Sequence, residues 1–208
     1  MKITLLGDSI RQQYAQKVAD LLGDEFEVWA PEDNCRFAKY TLRGLFDWAN
    51  DMKGSEIVHW NNGHWDICRL FGDGTFTSED EYVENMLRIL DILQKRHAAV
   101  IFATTTPVLS SNIYNANEDI DRFNSRMVQL LQERGVIIND LNSLLKLDVG
   151  KYICEDAIHL TGEGIDLCAD KVASCIKSVV KAISCSVKAD EKQDDNTNKA
   201  GLGSPVIL

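Results

Sequence analysis

Short apolar runs that alternate with helical patterns are the feature that most limits how this chain can fold. Five runs have the length and composition of β-strands, and segments with apolar residues at helical spacing separate them. These runs are Lys2–Leu6, Phe26–Ala30, Glu56–Trp60, Ala98–Ala103 and Val136–Asn139. Strands separated by helices form parallel sheets with helices on both faces. The sequence therefore predicts an α/β protein, a three-layer α/β/α sandwich with a five-stranded parallel sheet of flavodoxin-like type.

The helical patterns fix the extent of this domain. They cover residues 10–23, 42–50, 79–97, 118–133 and 162–183, and Ser78 with Glu81 forms a capping box before the third of them. From about Ser184 the chain becomes polar and aperiodic. We therefore expect one domain over residues 1–185 and a disordered tail over residues 186–208.

The charge of the chain argues against two classes of partner. With 22 basic and 32 acidic residues, the formal net charge is −10. Such a chain has no excess of cations for nucleic-acid phosphates or anionic membranes. It also has no run of about 18 apolar residues and no signal-peptide pattern. We expect a cytoplasmic protein that binds neither nucleic acid nor membrane; its oligomeric state is left open.

The cysteines and histidines do not form a recognisable metal site. The six cysteines are scattered and include no C-x-x-C pair, so reduced thiols are expected. His59, His64 and Asp66 are close in sequence, but no fourth ligand accompanies them. We expect no bound metal.

A serine follows the first predicted strand in the segment Gly7-Asp8-Ser9. In a parallel α/β sheet, ligands bind beyond the carboxyl ends of the strands. A hydroxyl at this position would also lie beside a helix N-terminus, which favours a developing negative charge. The alternative is a simple helix cap, because Asp and Ser are both favoured at that position.

A second motif, Asp156-Ala157-Ile158-His159, precedes the last predicted helix. An aspartate three residues before a histidine can hold one imidazole nitrogen while the other faces a nucleophile. The spacing alone is a weak signal, because such pairs also occur by chance. Its place at the start of the last helix, directly before Thr161-Gly162, adds weight.

Together, Gly7-Asp8-Ser9-Ile10 and Asp156-x-x-His159 resemble the motifs of the SGNH, or GDSL-like, hydrolase superfamily of serine esterases and lipases. The resemblance spans residues 1 to about 185. It implies a catalytic triad with Ser9 as nucleophile, His159 as general base and Asp156 as the residue that orients His159. It also implies ester hydrolysis without a metal or organic cofactor.

The oxyanion hole implied by this resemblance uses the Ser9 N–H, a glycine N–H and an asparagine amide. Gly44 is the glycine candidate, with a turn or helix-start glycine as the alternative. The family's G-x-N-D segment is replaced here by Gly63-His64-Trp65-Asp66, which has Trp in the asparagine position. Asn62, or else Asn61, would then supply the amide from a shifted position, or that donor is missing.

The substrate expected from the sequence is a small ester. His64 and Trp65 are predicted to line the pocket, although a core position for Trp65 is an equal alternative. Polar residues of the 32–40 loop, Asn34 among them, either contact substrate or are simply solvated. The G-H-W variant resembles carbohydrate O-acetylesterases, so an O-acetyl ester on a carbohydrate is expected. The alternatives are a thioesterase or lysophospholipase, or a catalytically weak module that binds acylated glycans.

Overall fold

The centre of the molecule is a five-stranded sheet whose strands all run in the same direction. The computed structural model describes the backbone of residues 1–200 and the side chains of residues 1–185. The strands are β1 (Lys2–Leu6), β2 (Glu27–Trp29), β3 (Ser55–Trp60), β4 (Ala99–Ala103) and β5 (Ile137–Asn139). They are ordered β2-β1-β3-β4-β5, and every neighbouring pair is parallel. The predicted five-stranded parallel sheet is confirmed.

Helices cover both faces of this sheet, as the predicted three-layer sandwich requires. They are α1 (Ser9–Leu22), α2 (Ala38–Asp47), α3 (His64–Ile67), α4 (Glu79–Arg96), α5 (Asn117–Gln132), α6 (Leu141–Leu145), α7 (Val149–Tyr152) and α8 (Gly162–Ala200). One apolar core lies between the sheet and α2, α4 and α5, and a second lies between the sheet and α1 and α8.

Alternation along the strands supplies both cores. Ile57 and Ile101 point into the core under α1 and α8, whereas their neighbours Val58 and Phe102 point into the opposite core. Successive strand side chains face opposite sides, and a sheet covered on both faces needs apolar residues at both. This explains why the central runs are apolar almost throughout.

The predicted end of the final helix at Ile183 is wrong, because α8 continues to Ala200. The predicted tail of 186–208 overlaps this helix over 186–200, and residues 201–208 lie outside the described part of the chain. No helix in the described part is long and apolar enough to cross a membrane.

The start of α2 depends on a residue that is distant in sequence. The helix begins at Ala38, before the predicted start at Leu42, and its N-cap residue Phe37 makes no side-chain cap bond. Instead, Asp66 Oδ2 accepts a hydrogen bond of 2.8 Å from the Ala38 N–H. A carboxylate near a helix N-terminus accepts a hydrogen bond from a free N–H group and interacts favourably with the positive end of the helix dipole. Asp66 thus fastens α2 to the segment that follows β3.

Asp66 makes this bond from a fully buried position. Its second carboxylate oxygen, Oδ1, has no hydrogen-bond partner among the described residues. Burial raises the pKa of Asp66 to about 7, and the bond from Ala38 opposes that rise only in part. The folded protein therefore keeps a proton on Asp66 at pH values where the unfolded chain has released it.

We predict that replacing Asp66 by Asn removes a pH dependence of stability. Because the folded pKa is raised, the contribution of Asp66 is present at low pH and is lost as the pH rises towards 7. Between pH 5 and pH 8, the free energy of unfolding of the wild type should fall by about 2 kcal/mol relative to that of Asp66→Asn. Urea unfolding at the two pH values measures this, with exposed Asp51→Asn as control. Parallel pH profiles for wild type and Asp66→Asn would contradict it.

Candidate active site

Ser9 is the first residue of α1 and follows β1 after only two residues. The helix is capped by Asp8, whose Oδ1 accepts a 3.0 Å hydrogen bond from the Ile10 N–H. The cap and the serine are therefore different residues, which leaves the Ser9 hydroxyl available for another partner. As one of the first N–H groups of α1, the Ser9 N–H has no carbonyl partner within the helix.

The Ser9 hydroxyl contacts His159, which lies 150 residues further along the chain. Ser9 Oγ is 2.9 Å from His159 Nε2, and His159 Nδ1 is 2.7 Å from Asp156 Oδ2. The structure thus brings the three predicted triad residues into one chain of hydrogen bonds. The His159 side chain is 37% exposed, so the contact lies at the surface end of the sheet and can be reached from solvent.

The backbone around Asp156 keeps its carboxylate ionised. Oδ1 accepts hydrogen bonds from the N–H groups of His159 and Ile158, at 2.9 and 3.1 Å. These bonds, the one from the His159 N–H foremost, hold the pKa of Asp156 below its ordinary value. An ionised Asp156 makes Nδ1 the protonated nitrogen of a neutral His159, which leaves Nε2 free to accept a proton from Ser9.

The loop carrying Asp156 and His159 has an unusual backbone conformation. Ala157 adopts a positive φ of 70°, in the left-handed region that residues other than glycine rarely occupy. Its carbonyl accepts a 3.1 Å hydrogen bond from the Leu109 N–H, and the Cys154 N–H donates to the His159 carbonyl at 2.7 Å. These bonds hold the turn that places the carboxylate beside the imidazole.

Gln13 connects this loop directly to the helix that carries Ser9. It lies four residues after Ser9 on α1, so it projects from the same face of the helix. Its Nε2 donates to the Leu160 carbonyl at 3.2 Å, and its Oε1 accepts from the Leu160 N–H at 3.0 Å. Leu160 is the residue after His159, so the Gln13 amide bonds to both main-chain polar groups of the residue next to the imidazole and links that segment to α1.

The glycine and asparagine donors predicted for the oxyanion hole have other surroundings or other partners. Gly44 lies in the middle of α2, where its N–H belongs to the helical ladder, and it does not line the cavity beside Ser9. Asn62 is fully buried and uses both ends of its amide, accepting from Trp60 Nε1 at 2.8 Å and donating to the Arg36 carbonyl at 2.9 Å. Asn61 donates to the Ala103 carbonyl at 2.8 Å. This geometry gives no support to the amide role predicted for Asn62 or Asn61, whereas the predicted Ser9 N–H stays available.

A cavity of about 420 Å³ opens beside Ser9 and His159. Both predicted pocket residues, His64 and Trp65, line it. The others are Asn34, Cys68, Leu70, Tyr114, Asn115 and Ile158. Sequence reasoning missed Cys68, Leu70, Tyr114 and Asn115, because segments 68–70 and 114–115 carry no recognisable motif. It also missed Ile158, although this residue lies between Asp156 and His159.

Asn34 is the lining residue with an amide available for a ligand. Its Oδ1 accepts a 2.7 Å hydrogen bond from the Arg36 N–H, which fixes the orientation of the amide. Its Nδ2 donates to no group among the described residues. The loop that holds it includes Arg36, whose φ of 49° lies in the left-handed region. Asn34 is therefore a fixed hydrogen-bond donor at the edge of the cavity.

His64 is a second imidazole of the site but differs from His159 in its environment. It is buried, and its Nε2 lies 2.9 Å from Thr106 Oγ1. Burial lowers the pKa of His64, and the Asp8 carboxylate nearby opposes that shift only in part, so the ring is neutral at neutral pH. Among the described residues, no group of three or more His, Cys, Asp or Glu is placed to hold a metal ion.

We predict that Gln13→Ala slows the reaction of Ser9 with a fluorophosphonate by about tenfold or more, because loss of the amide loosens the contact between Ser9 and His159. The measurement is the labelling rate by intact-protein mass, together with the melting temperature. Gln13→Glu keeps the hydrogen-bond acceptor but loses the donor, so its labelling rate should lie between those of the wild type and Gln13→Ala.

The matched control is Gln16→Ala on the same helix, where the side chain is exposed and donates a hydrogen bond to Asp20. Its labelling rate should equal that of the wild type. Equal rates for Gln13→Ala and Gln16→Ala would show that the Gln13 amide does not position the triad.

Comparison with known proteins supports the fold. No family model and no curated protein sequence matches this chain. Among solved structures, an acetyl xylan esterase superposes with a TM-score of 0.72 at 20% identity, over 85% of this chain and 100% of its own. Acetylxylan esterase Axe2 from Geobacillus stearothermophilus superposes with a TM-score of 0.69 at 14% identity, over 84% of this chain and 93% of its own. A GDSL-like lipase from Bacteroides thetaiotaomicron superposes with a TM-score of 0.70 at 16% identity, over 86% of this chain and 88% of its own. The resemblance indicated by the sequence is confirmed at the level of the fold, and this chain has the α/β/α fold of the SGNH hydrolases.

Proposed function

We propose that this protein is a serine esterase that hydrolyses a small carboxylic ester through Ser9, His159 and Asp156. The observation that carries the proposal is the continuous chain of hydrogen bonds from Ser9 Oγ through the imidazole to the Asp156 carboxylate. A nucleophile, a base and a group that orients the base are the parts that acyl transfer requires. Their position beside an open cavity leaves room for an ester.

In the proposed reaction, Ser9 Oγ attacks the acyl carbon while His159 Nε2 takes the hydroxyl proton. The Asp156 carboxylate stabilises the imidazolium that forms. His159 then gives this proton to the leaving oxygen, so the alcohol departs and the acyl group stays on Ser9. Water, deprotonated by His159, attacks the acyl-enzyme, and Ser9 recovers its proton as the carboxylic acid leaves.

The negative charge that develops on the acyl oxygen needs hydrogen-bond donors. We assign the Ser9 N–H and the Asn34 amide to this role, because the first has no partner within its helix and the second lines the cavity in a fixed orientation. Asn34 would replace the asparagine that the family's third segment usually supplies. The N-terminus of α1 adds a favourable field at the same point.

An O-acetyl ester, on a carbohydrate, is the substrate that we propose testing first. Two of the solved structures with this fold are acetylxylan esterases, and Trp65 lines the cavity with part of its ring exposed, as stacking on a sugar requires. No nucleic acid, membrane or metal enters this proposal. A catalytically inactive module that binds acylated glycans would use the same cavity without an activated serine.

The first experiment measures intact-protein mass after treatment with a fluorophosphonate. Wild-type protein should gain one adduct, Ser9→Ala should gain none, and His159→Ala should react at least a hundredfold more slowly because its serine has no base. The melting temperature of each variant checks that it is folded. Folded wild type that gains no adduct would refute the proposed esterase and favour the binding module.

The oxyanion assignment is tested by Asn34→Asp. Aspartate keeps the oxygen that accepts from the Arg36 N–H but loses the amide donor, so the loop should stay folded while kcat falls by about 10²–10³. The measurement is turnover of p-nitrophenyl acetate, with Asn50→Asp as a control that makes the same change at an exposed position outside the cavity. A kcat for Asn34→Asp within a few fold of the wild type would exclude this donor.

A further inference from the structure

The cavity beside Ser9 is bordered on one side by exposed apolar side chains. Trp65, Leu70 and Tyr114 line it and are 43%, 48% and 53% exposed. Their neighbours in sequence, Phe71 and Ile113, are 77% and 80% exposed. We call these five residues the apolar rim. Clustered exposure of this kind on a soluble domain marks a binding surface, whereas single exposed apolar residues need no explanation.

The fold does not need these side chains. The two segments of the rim are joined by main-chain and polar bonds: the Arg69 N–H donates to the Tyr114 carbonyl at 2.7 Å, and Asn115 Nδ2 donates to the His64 carbonyl at 3.0 Å. Arg69 also forms an ion pair with the buried Asp119 at 2.7 Å. The rim is thus held in place by bonds to which its own side chains do not contribute.

This arrangement also means that the rim is already formed before a ligand binds. The main-chain bonds on both sides of Leu70 fix the rim segments, including that from the Phe76 N–H to the Cys68 carbonyl at 2.7 Å. A preformed apolar surface loses little conformational freedom when it binds a ligand. No opening of a lid is needed to expose it.

The charge of the cavity limits the ligand further. None of the residues that line it is Lys, Arg, Asp or Glu, and its imidazoles are those of His64 and His159. The cavity lining therefore offers no cation to a phosphate or carboxylate group, which favours an uncharged acyl group inside the cavity. At about 420 Å³, the cavity falls in the range of roughly 300–1,000 Å³ that accommodates ligands much larger than an acetyl group.

Resting on the proposed esterase function, we infer that the apolar rim binds the acyl chain of a neutral ester, and that the preferred acyl group is longer than acetyl. The rim is continuous with the Ser9 and His159 contact in a single cavity, so a chain attached to the acyl carbon can lie along Leu70 and Tyr114. On this inference, the acyl group of the preferred ester is longer than that of the O-acetyl ester proposed above for the first test.

The test is the dependence of kcat/KM on acyl length, with p-nitrophenyl acetate, butyrate and hexanoate at concentrations where each is fully dissolved. In wild-type protein, kcat/KM should rise by up to about fourfold for each added methylene group that the rim buries. Leu70→Ala should flatten this rise, because it should lower kcat/KM for the hexanoate by a larger factor than kcat/KM for the acetate.

Leu147→Ala is the control, because Leu147 is also an exposed leucine, 79% accessible, and does not line the cavity. It should retain the wild-type dependence on acyl length. Comparing variants on the same esters cancels the intrinsic reactivity of each ester. An equal slope for wild type and Leu70→Ala, or a wild type most active on the acetate, would overturn the inference.

These outcomes are separable from failure of the proposed function. If the wild type gains no fluorophosphonate adduct and hydrolyses none of the three esters, the esterase proposal itself fails. If it gains the adduct and hydrolyses all three esters without preference for length, only the role of the apolar rim is refuted.

Discussion

The packing of α1 against α8 is the contact on which the candidate site depends. Ser9 begins α1 and His159 lies three residues before the start of α8, so the distance between them depends on how the two helices pack on one face of the sheet. Apolar side chains such as Val18 and Val172 fill this layer, and Lys177 Nζ donates to the Leu21 carbonyl across it at 2.8 Å. Burial of this apolar surface stabilises the packing of the two helices. The Gln13 amide then fixes the position of the segment that carries His159 relative to Ser9.

After β1, two adjacent residues share the work of capping α1 and contacting His159, because one side chain could not do both. Asp8 satisfies the start of the helix, and the adjacent Ser9 keeps its hydroxyl for His159. A serine that capped its own helix would have its oxygen engaged by a backbone N–H and would point away from the imidazole. The same division recurs after β3, where buried Asp66 holds α2 and adjacent Trp65 faces the cavity.

Sequence reasoning succeeded where the determinants are local. Strand positions follow from apolar runs, and the Asp156 to His159 pairing follows from a spacing that a single turn converts into contact. It could not identify the amide donor of an oxyanion hole, because a glycine or asparagine near a strand end can serve many partners. Asn62 bonds to Trp60 and Arg36, and only the three-dimensional arrangement of the loops shows that its amide is already engaged. The apolar rim was missed for a related reason: its two segments are distant in sequence and carry no periodic pattern.

The order of these parts along the chain has a consequence for how the protein is made. The strand and helix that carry Ser9 leave the ribosome first, but His159 and the helix that seats it come about 150 residues later. Chains emerge from the N-terminus at about 5–20 residues per second, so Ser9 exists for many seconds before His159 is made. During that time the Ser9 hydroxyl has no imidazole beside it. The contact between Ser9 and His159 can form only when the last helix docks, because it joins residues far apart in the chain.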